Sequence, residues 1–167
     1  HMTGKRTFPA ENTTPESYLV QKYLAEMVEA GLQCAVMEVS SQALKQSRVE
    51  GIQFDYGVFT NIEPDHIAPG EHADFTEYLE CKKKLFRQCR VGIANRDDRH
   101  FEEFTGGRTC VLETFGLSAE AELRAEKLRL ISGGGRRGIS FETSGLLEFQ
   151  AELSLPGRFS VYNALAA

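Results

Sequence analysis

The sequence predicts an α/β fold in which a mostly parallel sheet is flanked by helices and carries a small appended antiparallel sheet. Over residues 15–94, short apolar runs alternate with helical patterns, and this alternation implies right-handed crossovers and a parallel sheet. The run Cys34–Val39 is almost continuously apolar, as is typical of a strand buried on both faces. After about Thr109 strand-like segments follow one another, separated by short glycine-containing turns, which indicates antiparallel hairpins.

The bulk composition fits one ordinary globular domain. The chain has 167 residues, of which 41% are hydrophobic and 26% charged, in the range of globular proteins. A net charge of −5 argues against nucleic-acid binding, which needs a basic surface. No apolar run approaches the roughly 20 residues that cross a bilayer, so we expect no membrane insertion. Residues 1–2 read as a cloning scar, which leaves 3–167 as the domain.

The elements can be placed from caps and periodicity. Residues 3–14 indicate a strand or hairpin remnant and a loop, after which Thr14 and Pro15 predict a helix start, with Thr14 as N-cap. An apolar stripe follows, and Gly31 ends the helix; its members are Tyr18, Leu19, Tyr23, Leu24, Met27 and Val28. The further elements of the parallel part are a strand at Cys34–Val39, a helix at Ser41–Gln46, a strand at Phe54–Thr60, a helix at Phe75–Gln88 and a strand at Val91–Ala94.

The last third of the chain, residues 109–156, is predicted as the antiparallel sub-sheet. Its strands are Thr109–Phe115, Leu123–Ile131, Gly138–Thr143 and Leu147–Leu155. A helix begins after Gly157 and the sequence stops inside it. Because a natural domain rarely ends within a helix, we expect a fragment of a longer protein.

Two residues point to a metal–phosphate site. Glu38 lies at the end of one predicted strand, and His66 lies in the loop after another. The carboxyl ends of neighbouring parallel strands open onto one crevice where ligands bind, and magnesium prefers oxygen ligands such as a carboxylate. Taken alone, Glu38 could instead cap a helix or pair with Arg48, and His66 could make only local hydrogen bonds.

Lys82 lies on the helix that follows His66. An isolated Lys82 would be read as a solvated lysine, since an ammonium group offers three donors and no acceptor for a metal. It could contribute a metal ligand only as an anion, for example after carbon dioxide adds to the amine. A partly buried lysine with a lowered pKa suits that conversion.

Several other chemistries are excluded or unsupported. The chain contains no Walker A motif, because Thr3-Gly4-Lys5-Arg6 lacks the leading glycine and spacing. Ser40-Ser41 lacks the flanking glycines of a nucleophile elbow. The four cysteines (Cys34, Cys81, Cys89 and Cys110) show no metal-ligand spacing, so we expect free thiols.

Several motifs, in order, resemble the central domain of the Mur ligases. These are residues 11–17 (ENTTPES), 37–41 (MEVSS), 65–66 (DH), 78–86 (YLECKKKLF), 95–98 (NRDD) and 157–167. The resemblance covers nearly everything from Thr3 to Ala167, and it is strongest to the type that adds the third amino acid to UDP-N-acetylmuramoyl-L-Ala-D-Glu (the MurE type). It implies a P-loop-type, Rossmann-like sheet.

The resemblance also implies an activity. Members are bacterial cytoplasmic ligases of peptidoglycan precursor synthesis that are ATP-dependent and form ADP, with ATP and magnesium as cofactors. ATP phosphorylates the D-Glu carboxylate, and the amine of meso-diaminopimelate or L-Lys attacks the acyl phosphate. By this resemblance Glu38, His66 and Lys82 would hold magnesium, with Lys82 as a carbamate and Lys83 as the fallback. Contacts to the UDP-muramoyl dipeptide would come from Thr13, Thr14, Ser40, Gln46 and Arg48, and Asn163 would reach the adenine.

Two positions depart from the family pattern. Gln42 stands where a histidine usually follows the two serines, and Ser160 stands where an asparagine usually precedes Asn163 by three residues. The phosphate-binding loop is expected upstream of residue 3 and the amino-acid-binding domain after Ala167, so this polypeptide alone is expected to be inactive. The alternatives are another superfamily member (folylpolyglutamate synthase-like or an amide-forming muropeptide enzyme) and a non-catalytic binding module.

Overall fold

A computed structural model describes residues 1–4, 6–10, 12–64, 67–68, 71–133 and 135–167, without the side chain of Arg136. The helices are α1 (Ser17–Glu29), α2 (Ser41–Lys45), α3 (Phe75–Lys83), α4 (Phe101–Thr105) and α5 (Arg158–Ala166), with a 3-10 turn at Lys84–Arg87. The strands are β1 (Met2–Thr3), β2 (Arg6–Thr7), β3 (Phe54–Phe59), β4 (Cys89–Asn95), β5 (Val111–Gly116), β6 (Leu123–Gly133), β7 (Arg136–Gly145) and β8 (Gln150–Leu153). The chain divides into two compact units: residues 1–52 with 64–85, and residues 53–63 with 86–167.

The first unit contains the β1–β2 hairpin and helices α1, α2 and α3. Helix α1 ends as predicted: Gly31 has a positive φ of 75°, a conformation that glycine adopts without strain. The N-cap prediction for Thr14 is wrong. Glu16 occupies that position without a side-chain cap, whereas Thr14 is fully buried and its hydroxyl bonds elsewhere in the unit.

The apolar stripe of α1 is buried only in part. Val20 is the buried residue of the helix, while Tyr18 and Val28 are 75% and 74% exposed. Tyr23, Leu24 and Met27 do face inward, since they line a cavity of about 120 Å³ together with Val20. The predicted stripe therefore shares Tyr23, Leu24 and Met27 with the packed face, but it leaves out Val20 and includes the exposed Tyr18 and Val28.

The predicted buried strand at Cys34–Val39 is not formed. The segment has no regular secondary structure, and no strand of the described ranges pairs with it. Val36 is 97% exposed. A continuous apolar run predicts a buried strand only when neighbouring strands supply the hydrogen bonds and both covering faces, and the described part of this unit does not supply them.

The second unit is built on one six-stranded sheet, in the order β3-β4-β5-β6-β7-β8. Strands β3 to β6 run parallel, whereas β6, β7 and β8 pair antiparallel. The predicted fold class is therefore confirmed, with one difference in membership. The segment Thr109–Phe115 was predicted within the antiparallel sub-sheet, but β5 lies parallel between β4 and β6.

The core of the second unit lies between the sheet and α5. Its buried members are Phe115, Ala125, Ile139, Phe141, Val161 and Leu165. A second aromatic group packs under α4, where the rings of Phe59 and Phe104 stack with centroids 3.5 Å apart. Burying side chains of this size contributes about 1.5–3 kcal/mol each, so these residues fix the strands that present the loops after β4 and β5.

Most other element predictions hold within one to five residues. Helix α2 and strands β3 and β4 match their predicted segments, while α3 gives way to the 3-10 turn after Lys83. Helix α4 was not predicted, because its five residues are too few to show a period and it begins without a side-chain cap such as the one that Ser40 provides for α2. The four cysteines are free thiols, as predicted. Within the described ranges, no helix has the length and apolar character needed to cross a membrane.

Candidate substrate and metal site

Thr14 is the centre of a hydrogen-bonded group in the first unit. Its Oγ1 donates to the backbone carbonyl of Glu38 at 2.9 Å and accepts the Ser40 N–H at 2.9 Å. The Thr14 side chain is fully buried, whereas its partners Glu38 and Ser40 are exposed and half-buried. This single hydroxyl therefore fastens the loop before α1 to the segment that carries Glu38 and Ser40, and Thr13, which is exposed, lines the same cavity as Glu38.

Ser40 is also the N-cap of α2. Its Oγ accepts a 3.1 Å hydrogen bond from the Ala43 N–H. Caps of this kind stabilise a helix by about 1 kcal/mol, which is a large share for a helix of five residues. The end of the MEVSS motif is thereby held in one conformation.

Arg48 is nearly buried and its three guanidinium nitrogens are all engaged. Nη1 donates to the Thr14 carbonyl at 2.9 Å, Nε donates to Gln46 Oε1 at 2.9 Å, and Nη2 lies 2.9 Å from the Glu16 carboxylate. The side chain is 12% exposed. The pair with Glu38, which the sequence left open as an alternative, is not formed. Arg48 therefore fixes Thr14 and Gln46 in place.

Lys82 differs from the two lysines that follow it. Burial lowers the pKa of Lys82, and the negative charge of Glu38 opposes that shift only in part. Within the described ranges no carboxylate lies at ion-pair distance from its amine, whose Nζ is 5.8 Å from the centroid of the Tyr78 ring. Lys83 instead pairs with Glu80 at 2.6 Å, and Lys84 donates to the Leu44 carbonyl at 3.1 Å.

The metal-binding prediction can be examined at two of its three residues, since His66 lies outside the described residues. Glu38 and Lys82 are close enough for their charges to interact. As a carbamate, Lys82 would add carboxylate-like oxygens to those of Glu38, a donor set that suits magnesium. In the described part of the chain, no three His, Cys, Asp or Glu side chains cluster as metal ligands.

His72 is a site residue that the sequence reasoning missed. It is 2% exposed, and its Nε2 lies 2.9 Å from the hydroxyl of Ser41, the first residue of α2. Its Nδ1 lies 3.8 Å from the Glu77 carboxylate. A lone histidine in the polar stretch before α3 gives no sequence signal of burial. The sequence signal at its partner is that Ser41 is the last residue of the MEVSS motif.

Asn163, the predicted adenine contact, lies in the second unit, exposed on α5. The neighbouring Tyr162 donates a 2.9 Å hydrogen bond to Asp97, which also accepts the N–H groups of Leu117 and Ser118. Burial would raise the pKa of Asp97, but the hydrogen bonds from Ser118, Leu117 and Tyr162 outweigh it and lower that pKa. Burial and the bond to Asp97 raise the pKa of Tyr162 to about 12.

Asn95 and Asp98 of the NRDD motif order the loop after β3. Asn95 Nδ2 donates to the Thr60 carbonyl at 3.1 Å, and Asp98 Oδ2 accepts the Ile62 N–H at 3.0 Å. These bonds join the ends of two adjacent parallel strands, the edge at which α/β sheets carry their ligand-binding loops.

The mixed sheet and the Thr14–Ser40–Arg48 group are features of an α/β domain that carries a half-buried lysine, Lys82, whose charge interacts with that of Glu38. The chain belongs to the family described as the Mur ligase middle domain, which matches residues 1–167. It is 38% identical over 168 residues to UDP-N-acetylmuramyl-tripeptide synthetase of Lactococcus lactis subsp. cremoris (strain MG1363), covering 99% of this chain and 33% of that protein.

A second relative is UDP-N-acetylmuramoyl-L-alanyl-D-glutamate--2,6-diaminopimelate ligase of Geobacter metallireducens. It is 38% identical over 173 residues, which cover 98% of this chain and 33% of that protein. A solved structure of a ligase with the same name superposes with a TM-score of 0.79 at 26% identity, covering 92% of this chain and 32% of that one. The chain thus spans about a third of the length of these relatives.

Proposed function

We propose that this chain is part of an ATP-dependent, ADP-forming carboxylate–amine ligase that adds the third amino acid to UDP-N-acetylmuramoyl-L-Ala-D-Glu in the bacterial cytoplasm. The observation that carries the proposal is the 38% identity, over nearly the whole chain, to a protein named as a tripeptide synthetase. The incoming amino acid would be meso-diaminopimelate or L-Lys; the second relative is named for 2,6-diaminopimelate.

In this reaction the D-Glu carboxylate takes the terminal phosphoryl group from ATP and ADP leaves. The amine of the incoming amino acid then bonds to the carbonyl carbon, phosphate leaves, and the amine nitrogen loses a proton. Bound magnesium would offset the negative charge on the transferred phosphoryl group. The residues of this chain would act by binding and orientation, because phosphoryl transfer depends mainly on positioning and charge.

In this proposal Glu38, His66 and the Lys82 carbamate hold magnesium. The lowered pKa of Lys82 supports its role, because only the neutral amine can bond to carbon dioxide. The ion pair of Lys83 with Glu80 at 2.6 Å makes Lys83 the poorer choice, since its amine is already engaged by that carboxylate.

Five residues would contact the UDP-muramoyl dipeptide: Thr13, Thr14, Ser40, Gln46 and Arg48. Thr13 and Gln46 are exposed and would touch the ligand directly. The hydroxyl of Thr14 and the guanidinium of Arg48 already have partners within the protein, so we propose that they keep the exposed members in position. Asn163, exposed on α5, would contact the adenine of ATP.

Binding of UDP-N-acetylmuramoyl-L-Ala-D-Glu to this chain, measured by calorimetry or by amide chemical shifts, tests the proposal. A folate monoglutamate serves as the comparison ligand. We expect the muramoyl dipeptide alone to bind and Gln46→Ala to weaken it about tenfold, the effect of one lost hydrogen bond to a charged group. Gln33→Ala, the same change at another exposed glutamine of the first unit, should leave affinity unchanged. Binding of the folate instead would assign a different superfamily substrate.

We further propose that this polypeptide by itself turns over no ATP, because its sequence contains no Walker A motif. A coupled phosphate-release assay with the muramoyl dipeptide, ATP and either amino acid tests this. Steady phosphate release from the purified chain would show that the proposal is wrong.

A further inference from the structure

The buried imidazole of His72 links the segment before α3 to the first residue of α2. Its Nε2 and the Ser41 Oγ are 2.9 Å apart, and the two residues are 2% and 4% exposed. A hydrogen bond shielded from water in this way is costly to remove, because its loss leaves a polar group buried without a partner.

Other contacts between α2 and the α3 region lie nearer the surface. Lys45 donates to the Glu71 carbonyl at 2.7 Å and pairs with the Glu77 carboxylate at 3.0 Å, but the Lys45 and Glu77 side chains are 35% and 36% exposed. Exposed ion pairs contribute little to stability. Lys84, the C-cap of α3, also donates to the Leu44 carbonyl at 3.1 Å, in a partly buried hydrogen bond. Among the described polar contacts between α2 and the α3 region, the His72–Ser41 bond is the most deeply buried.

The two residues of this hydrogen bond connect to the two parts of the proposed site, Ser41 to the segment of Glu38 and His72 to the helix of Lys82. Ser41 follows Ser40 directly, and Ser40 is held to Thr14 and thereby to Glu38. On the other side, the His72 ring lies 5.3 Å from the ring of Tyr78, and Tyr78 in turn lies 5.8 Å from Lys82 Nζ. His72 thus stands where the segment of Glu38 meets the helix of Lys82.

We propose that His72 is a positioning residue, which holds the start of α2 against α3 and so fixes Ser40 and Glu38 relative to Lys82. The functional side of this inference rests on the proposed muramoyl-dipeptide and metal site. Ser41 and His72 are both buried, so the role that we assign to His72 is to hold α2 in position, without direct contact to the reacting groups.

Amide hydrogen exchange on the 167-residue chain tests the positioning role without any ligand. The reporters are the amides of Ala43 and Leu44, which bond to the side chain and carbonyl of Ser40. We expect His72→Leu, which keeps the size but removes the polar atoms, to raise their exchange rates about tenfold or more, the effect of a lost buried hydrogen bond. Ser41→Ala removes the same bond from the other side and should do the same if the leucine variant folds poorly.

Two further variants separate positioning from general destabilisation. His72→Gln should restore exchange at Ala43 to within about threefold of the parent chain, because its amide can donate or accept at the reach of Nε2. His100→Leu makes the leucine change in the second unit and should leave Ala43 unaffected. Equal acceleration at Val20 and Ala43, no change in Ser41→Ala, or a glutamine variant no better than leucine would overturn the proposal.

The same variants are then titrated with UDP-N-acetylmuramoyl-L-Ala-D-Glu. The dissociation constant should rise about tenfold in His72→Leu and Ser41→Ala and stay within about twofold in His72→Gln and His100→Leu. If the parent chain does not bind this ligand, the proposed function fails, while hydrogen exchange at Ala43 still decides whether His72 positions α2. Unchanged affinity in both bond-deleting variants of a parent chain that binds would contradict the functional side of the inference.

Discussion

The hydroxyl of Tyr162 donates a 2.9 Å hydrogen bond to the carboxylate of Asp97, and this contact joins α5 to the turn that follows β4. The same carboxylate accepts the Leu117 N–H at 2.6 Å, from the loop after β5. Gly116 makes the approach possible, since a Cβ there would lie 2.9 Å from Asp97 Oδ2. Three elements of the second unit therefore converge on one charged group, next to Asn163, the proposed adenine contact.

Tyr162→Phe should lower the free energy of unfolding by about 1.5–3 kcal/mol, because a hydrogen bond to a charged group is lost and the carboxylate stays partly buried. Urea denaturation of the variant and the parent chain measures the difference. Tyr56→Phe is the matched control, since Tyr56 is 65% exposed in the same unit; it should change stability by less than about 0.5 kcal/mol. Equal effects of the two changes would contradict the assigned bond.

The Tyr162–Asp97 bond should also make the free energy of unfolding depend on pH in the alkaline range. The folded-state pKa of Tyr162 is raised to about 12, against about 10 in an unfolded chain. Its contribution to stability is therefore fully present below about pH 10 and is lost as the pH rises towards 12. The difference in unfolding free energy between the parent chain and Tyr162→Phe should be constant from pH 7 to 9 and shrink between pH 10 and 11. A difference that stays constant to pH 11 would contradict the raised pKa.

The predicted elements that the structure confirms are those whose pattern and packing partner are both close in sequence. Strands β3 and β4 pair across one connection, and their apolar runs marked them at nearly the right bounds. The prediction of a strand at Cys34–Val39 was wrong, because an apolar run does not show whether neighbouring strands are present to pair with it. The parallel placement of β5 was missed for a related reason, since strand direction is set by the register with β4 and β6, which no local pattern contains.

The candidate site was also predicted only in part. Thr14, Ser40 and Arg48 were found through a family resemblance, and their mutual hydrogen bonds could not be read from the sequence. The incorrect N-cap prediction shows why. Threonine is a common N-cap residue, but the hydroxyl of Thr14 bonds to Glu38 and Ser40, which are distant in sequence. His72 was missed because burial of a polar residue is decided by tertiary packing around α2 and α3.

Thr14→Val should destabilise the chain by about 1–3 kcal/mol, because it leaves the Ser40 N–H and the Glu38 carbonyl without their buried partner. The shape of the side chain is retained, so the loss reports the hydroxyl. Thermal or urea unfolding measures it. Thr13→Val applies the same change to the exposed neighbour and should alter stability by less than about 0.5 kcal/mol; a loss as large as that of Thr14→Val would show that Thr14 is not the anchor.

Lys82, and neither Lys83 nor Lys84, should carry the carbamate. Burial lowers the pKa of Lys82, which leaves more neutral amine to bond to carbon dioxide, whereas Lys83 is held by Glu80 and Lys84 by the Leu44 carbonyl. Carbon-13 NMR of the chain in labelled bicarbonate with magnesium should show one carbamate carbon. Lys82→Arg should abolish that signal and Lys83→Arg, the same change one residue on, should retain it. A carbamate that survives Lys82→Arg and disappears in Lys83→Arg would move the assignment to Lys83.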